Sequence, residues 1–172
     1  VMDSEVSASS IRIQGYTFNA DHPDNVLSGT INAEGTLVLK LHYDLQSYTA
    51  TLVDENGAEL ACWKVPYGGA VTVPADAQTP VREGYTFTGW ADLGIMPAKD
   101  MTYSVADYGS WKANTYTVRF DANGGEGKMD DQTFTYDKTQ TLSANSFQKT
   151  GYTFAGWSLN REGAVKYADQ AK

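Results

Sequence analysis

Polar and apolar residues alternate along several short runs of this chain. In residues 116–120, Tyr116, Val118 and Phe120 share one face, and Thr117 and Arg119 take the other. That is the period of two of a half-buried strand. Tyr48, Ala50 and Leu52 repeat the pattern against Thr49 and Thr51; Leu37, Leu39, Leu41 and Tyr43 do so against Lys40 and His42. Residues 133–136 alternate again and read as a returning strand. Asp54-Glu55-Asn56-Gly57 predicts a tight turn, because Asn and Gly accept positive φ. The corresponding connection, residues 121–131, is longer and carries Asn123-Gly124-Gly125. No long window carries a helical stripe; the pattern leaves room only for a short helix near residues 167–172 or 24–27.

The alternation recurs because the sequence repeats. Gly-Tyr-Thr-Phe occurs at residues 15–18, 84–87 and 151–154, at spacings of 69 and 67. The second and third copies extend through Gly89-Trp90 and Gly156-Trp157. The Tyr-Thr start of the strand at Tyr48 returns 68 residues on, at Tyr116. Two markers with one period define a module of about 68 residues, the size of a small self-sufficient domain rather than a solenoid unit. Residues 1–45 hold the C-terminal part of one module, 46–114 a complete module and 115–172 most of a third. The junctions at residues 45–47 and 112–115 lack Gly and Pro, so limited bending is expected there.

Composition narrows the function. Hydrophobic residues make up 41%, and 11 Tyr, 6 Phe and 4 Trp favour strands. A net charge of −8 with 13 basic residues disfavours nucleic acid and anionic lipid. No apolar run is long enough for membrane insertion of this segment as a helix. Cys62, the single cysteine, rules out an internal disulfide framework.

At these motifs the chain resembles a known family. Tyr-Thr-Val-x-Phe-Asp-Ala-Asn-Gly-Gly from Tyr116, with Gly-Tyr-Thr-Phe-x-Gly-Trp ending at Trp157, resembles the internalin B-repeat, also called the Listeria–Bacteroides repeat. Residues 46–114 match more loosely, with Asp54-Glu55-Asn56-Gly57 at the turn. Residues 1–45 resemble the end of a mucin-binding-protein-type repeat, on Gly15-Tyr16-Thr17-Phe18, Asn25-Val26-Leu27-Ser28-Gly29-Thr30 and Leu37-Val38-Leu39-Lys40-Leu41. The resemblance implies a mostly-β fold with a small α component, as tandem β-grasp-like modules in an elongated rod. It further implies an extracellular, cell-wall-anchored bacterial protein in which such repeats act as a stalk for an adhesin-type head. A binding module for host glycan, mucin or receptor is the alternative. The family has no shared catalytic residues to carry over. Members of the family continue into one more strand, so the resemblance implies that module 115–172 lacks its last strand; it should then be the least stable, or its edge covered by another molecule.

The candidate chemistry is correspondingly thin. His22, in Asp21-His22-Pro23-Asp24, and His42, on a polar strand face, read as surface histidines rather than catalytic or metal-ligating ones. Cys62 reads as a small strand residue, with no cation cluster to activate a thiol. The acidic stretch from Asp121 lacks calcium-loop spacing, since Gln132 stands at its twelfth position. No nucleophile–base motif is present. The expectation is no catalysis, no cofactor and no metal, with a monomer whose partners are its neighbouring modules and, in the alternative, a host glycan or protein. The repeated aromatics Tyr16, Phe18, Tyr85, Phe87, Trp90, Tyr152, Phe154 and Trp157 are expected in the core, with Gly89 and Gly156 bending each Trp inward. Trp63, which has no counterpart in the third module, is the candidate ligand contact.

Overall fold

The computed structural model describes residues 4–33 and 35–172. The chain is mostly β. In order it forms β1 (Glu5–Ser7), β2 (Tyr16–Phe18), β3 (Ser28–Thr30), β4 (Tyr43–Leu45), β5 (Ser47–Val53), β6 (Glu59–Pro66), β7 (Tyr85–Trp90), β8 (Met101–Ser104), α1 (Val105–Tyr108), β9 (Gly109–Ala113), β10 (Thr115–Val118) and β11 (Gln132–Thr135). These pair into small sheets: β1 with β3, β2 with β4, β7 with β9, β10 with β11, and the three-stranded β6-β5-β8. The chain divides into two compact units, Val1–Pro80 with Gly89–Ser110, and Val81–Thr88 with Trp111–Lys172.

The first unit is built around β5. It runs antiparallel to β6 and parallel to β8, with Leu52 opposite Ala61 on one side and Tyr103 on the other. Its alternation buries Ala50 and Leu52 completely. Val65, Val71, Leu93, Met96 and Tyr103 complete the core. Each fully buried large side chain contributes about 1.5–3 kcal/mol of transfer free energy. Val71, Leu93 and Met96 come from chain outside the strands, tied by Met96 N–H to Gly69 C=O at 2.8 Å and Val71 N–H to Gly94 C=O at 2.9 Å. The β5–β6 turn forms where predicted: Asp54 Oδ1 accepts the N–H groups of Asn56 and Ala58, and Gly57 takes φ +82°.

Two expectations about local structure are revised. The helix is one turn at Val105–Tyr108, started by Ser104, whose Oγ accepts the Ala106 N–H at 3.1 Å. A turn this short leaves no stripe to read; the cap and the burial of Val105 fix it instead. The alternating leucines at 37–41 form no strand beyond a bridge from Lys40 to Val26. Leu37 instead packs over Gly29 of β3, and pairing resumes at Tyr43.

In the second unit β10 and β11 pair antiparallel from Thr115 opposite Thr135 to Val118 opposite Gln132. In the long connection between them Asn123 and Gly124 both take positive φ, and Asp121 Oδ1 accepts the Asn123 N–H at 2.6 Å. That carboxylate repeats the turn-forming role of Asp54. Trp157 gathers Phe120, Phe147 and Phe154 at ring-centroid distances of 4.8, 6.3 and 4.9 Å.

Candidate functional site

Each Gly-Tyr-Thr-Phe copy opens with the same turn. The Tyr N–H donates to a carbonyl three residues back: Tyr16 to Ile13 at 3.1 Å, Tyr85 to Arg82 at 3.1 Å, Tyr152 to Lys149 at 3.0 Å. The preceding glycines take φ +78°, +74° and +79°. A β-carbon is disfavoured in that conformation.

In the first two copies the turn is closed by the chain that follows, in three contacts. An antiparallel strand lies beside the motif and sets an aromatic ring on its Phe. Tyr43 of β4 stands 5.7 Å from Phe18, and Trp111 of β9 stands 5.2 Å from Phe87. The linker residue then bonds in both directions. Gln46 N–H donates to Gly15 C=O and its C=O accepts from Tyr67 N–H, both at 2.8 Å; Asn114 does the same between Gly84 and Tyr136, at 2.8 and 2.9 Å. Finally a tyrosine from the next hairpin lies on the glycine. A β-carbon at Gly15 would come within 2.0 Å of the Tyr67 ring, and one at Gly84 within 2.2 Å of Tyr136. Each ring also meets the motif Tyr edge-on, Tyr16 at 6.5 Å and Tyr85 at 5.5 Å. Glycine is thus required twice, for its φ and for the ring above it.

The second clasp has added polar contacts. Tyr85 hydroxyl donates to Asp137 Oδ2 at 2.9 Å, a bond that raises the Tyr85 pKa above its ordinary value. Thr86 Oγ1 donates to Asn114 Oδ1 at 2.6 Å, and Arg82 lies over the Tyr85 ring at 4.3 Å.

The third copy keeps the turn and lacks the closure. Among the described residues nothing stands within 4 Å of where a Gly151 β-carbon would be. Tyr152 is 73% exposed, with Lys149 Nζ 4.8 Å over its ring. It borders a broad concavity of about 1190 Å³ together with Phe120, Phe147, Phe154 and Trp157. Trp157 Nε1 is buried without a hydrogen-bond partner among the described residues.

The predicted core aromatics therefore part company. Trp90 packs against the core cluster of the first unit. Phe18, Tyr85, Phe87 and Trp157 are half-buried, while Tyr16, Phe154 and Tyr152 are exposed. Placing those three in the core was a misreading: the motif aromatics build clasps at repeat edges, which cover a ring on one side only, and Tyr152 has no clasp partner. Gly89 and Gly156, at φ +144° and +139°, break the alternation ahead of each Trp. Trp63 is half-buried, opposite Ala50 and packed against the core cluster. Cys62 lies on the exposed face of β6, 3.8 Å from Thr51 Oγ1.

Sequence reasoning missed one pairing. His22 and His42 stack at 3.9 Å with their planes 7° apart, and their ligand atoms lie within 4.8 Å of each other and of Asp24. Imidazole lone pairs lie in the ring plane, so an ion between parallel rings lies outside both planes. His22 Nδ1 already accepts the Asp24 N–H at 3.2 Å. Asn25 Oδ1 accepts the His42 backbone N–H at 2.9 Å. As folded, the trio braces a loop rather than forming a coordination sphere.

A mostly-β chain in which the same glycine–tyrosine turn recurs at a fixed period defines a tandem-repeat protein. Residues 48–102 and 116–172 each match the Listeria-Bacteroides repeat domain, and the chain belongs to that family. It is 32% identical to Internalin H of Listeria monocytogenes, across 88% of this chain and 26% of that protein. It is 29% identical to a protein of Evansella cellulosilytica named as a membrane protein, across 84% of this chain and 23% of the relative. A second protein of that organism, named as Gly-rich, is 24% identical and covered over 17% of its length. The chain thus spans about a quarter or less of these relatives. No solved structure matches it. No helix among the described residues is long and apolar enough to cross a membrane.

Proposed function

We propose that this chain is a non-catalytic repeat region of an extracellular bacterial surface protein, serving as a stalk that holds an adhesin-type head away from the cell wall. The observation that carries the reading is the clasp repeated at two successive linkers. Gln46 and Asn114 each have N–H and C=O bonded at 2.8–2.9 Å. A linker bonded in both directions resists bending, as a spacer needs. The likeness to Internalin H fits the same placement. Small-angle scattering tests it. A stalk of β-grasp-like modules gives a radius of gyration well above the value of about 16 Å for a globule of this length. A value near 16 Å would count against it. Binding of a host glycan, mucin or receptor is the second reading, supported by the aromatic concavity around Tyr152 and Trp157.

A further inference from the structure

We propose that the third residue of each clasp turn sets the strength of its linker, and that Asp137 makes the Asn114 linker a latched one. The inference holds whether the chain spaces a head or binds a ligand.

The two clasp tyrosines stand at the same place in the same turn. Gly69 N–H donates to Pro66 C=O at 2.9 Å, and Lys138 N–H to Thr135 C=O at 3.2 Å. Each bond closes a four-residue turn whose second residue is the clasp tyrosine, Tyr67 or Tyr136. The third residue takes positive φ in both turns, +73° at Gly68 and +56° at Asp137. That position of a type II turn favours glycine. Aspartate tolerates it less well, so Asp137 carries backbone strain that Gly68 does not. Asp137 is exposed, so no packing demand places it there. What the aspartate adds is reach. Its Oδ2 accepts the Tyr85 hydroxyl at 2.9 Å, 52 residues back and across the linker. A strained residue persists where its surroundings hold it, and here Tyr85 does so. Asn114 lies inside this bond. Its N–H and C=O go to Gly84 and Tyr136, the neighbours of Tyr85 and Asp137, so opening the linker separates Tyr85 from Asp137. At the Gln46 linker the corresponding residues are Tyr16 and Gly68, and Gly68 has no side chain to reach across. Tyr85 is the donor, so the latch lasts while the phenol keeps its proton. The Asp137 bond raises the Tyr85 pKa, and burial, the Asp137 charge and Tyr136 add to this, while Arg82 opposes it. Tyr136 is itself raised by the Glu83 charge. A raised phenol contributes stability below its unfolded-state value and loses it as pH rises through the folded-state value, so alkali releases the latch.

The test is amide hydrogen exchange at Asn114 N–H in the full chain, read in a double-mutant cycle of Tyr85→Phe and Asp137→Gly. Tyr85→Phe removes the donor and keeps the ring. It should speed exchange roughly three- to tenfold, the scale of one hydrogen bond. Asp137→Gly should speed it less, because glycine relieves the strain as the bond is lost. With Tyr85→Phe already in place, Asp137→Gly should leave exchange unchanged or slow it, since only strain remains to be removed. Asp137→Gly should also lower the Tyr85 pKa towards the ordinary tyrosine range, followed by NMR titration, a shift that a purely structural turn residue would not produce. Two effects that simply multiply in the cycle would overturn the proposal. So would a Tyr85 titration that Asp137→Gly does not move.

Discussion

The glycine at the floor of a clasp should cost more to replace than a glycine that only turns the chain. Gly15 and Gly57 form a matched pair in the first unit, with φ +78° and +82°. Alanine at either position meets the left-handed penalty of about 1–2 kcal/mol. At Gly57 none of the described residues comes within 4 Å of the new methyl, so the penalty ends there. At Gly15 the new methyl would stand 2.0 Å from Tyr67 Cδ1, so the ring must leave. Its departure forfeits the Tyr16–Tyr67 edge contact, about 0.5–1.5 kcal/mol, and strains the Tyr67 N–H bond to Gln46 C=O, about another 0.5–1.5 kcal/mol. Gly15→Ala should therefore cost about 2–5 kcal/mol and Gly57→Ala about 1–2 kcal/mol. Urea unfolding of the two variants, at an unchanged slope of about 1–3 kcal/mol per molar, separates their midpoints by roughly 0.3–3 M. Equal midpoints would refute the claim that the ring on the glycine contributes to stability.

Three further outcomes follow from the same structure. Leu52→Ala, at a completely buried position between β6 and β8, should cost about 2–5 kcal/mol by urea titration, whereas Leu159→Ala, 73% exposed, should stay within about 0.5 kcal/mol. Asp100 Oδ1 accepts the Thr49 N–H at 2.6 Å, which holds its carboxyl below the usual range. A lowered carboxylate stabilises above its unfolded-state pKa and loses that contribution as pH falls through the folded-state value, so the advantage of wild type over Asp100→Asn at neutral pH should vanish on acidification. Cys62, exposed on β6, should react with iodoacetamide in the native protein at a rate near that of the unfolded chain.

The strands and the repeat were legible because period-two patterning and a fixed spacing are local, countable signals. They located β5, β10 and the turn at Asp54, and the family resemblance agreed with them. Much of the core was not legible. Val71, Leu93 and Met96 lie in irregular chain, where no period marks them, and their burial depends on the sheet they happen to cover. The clasp was half visible. Gly-Tyr-Thr-Phe stood out three times, but its partners Gln46, Tyr67, Asn114 and Tyr136 carry no pattern of their own. Aromatic density was read as core for that reason. A search for tyrosines recurring one period apart after each linker would have found Tyr67 and Tyr136. The histidine stack had no such signal, since His22 and His42 are brought together by the Asn25 bonds and not by spacing.

The parallel pairing of β5 with β8 sets an order on assembly. Leu52 meets Tyr103 only after about fifty intervening residues have been threaded past, so the loop must close before the central strand gains its second neighbour. A hairpin of β5 and β6 alone is too small to hold itself together in water. A repeat synthesised, or passed through a narrow channel, from its N-terminus therefore stays open until its last third arrives.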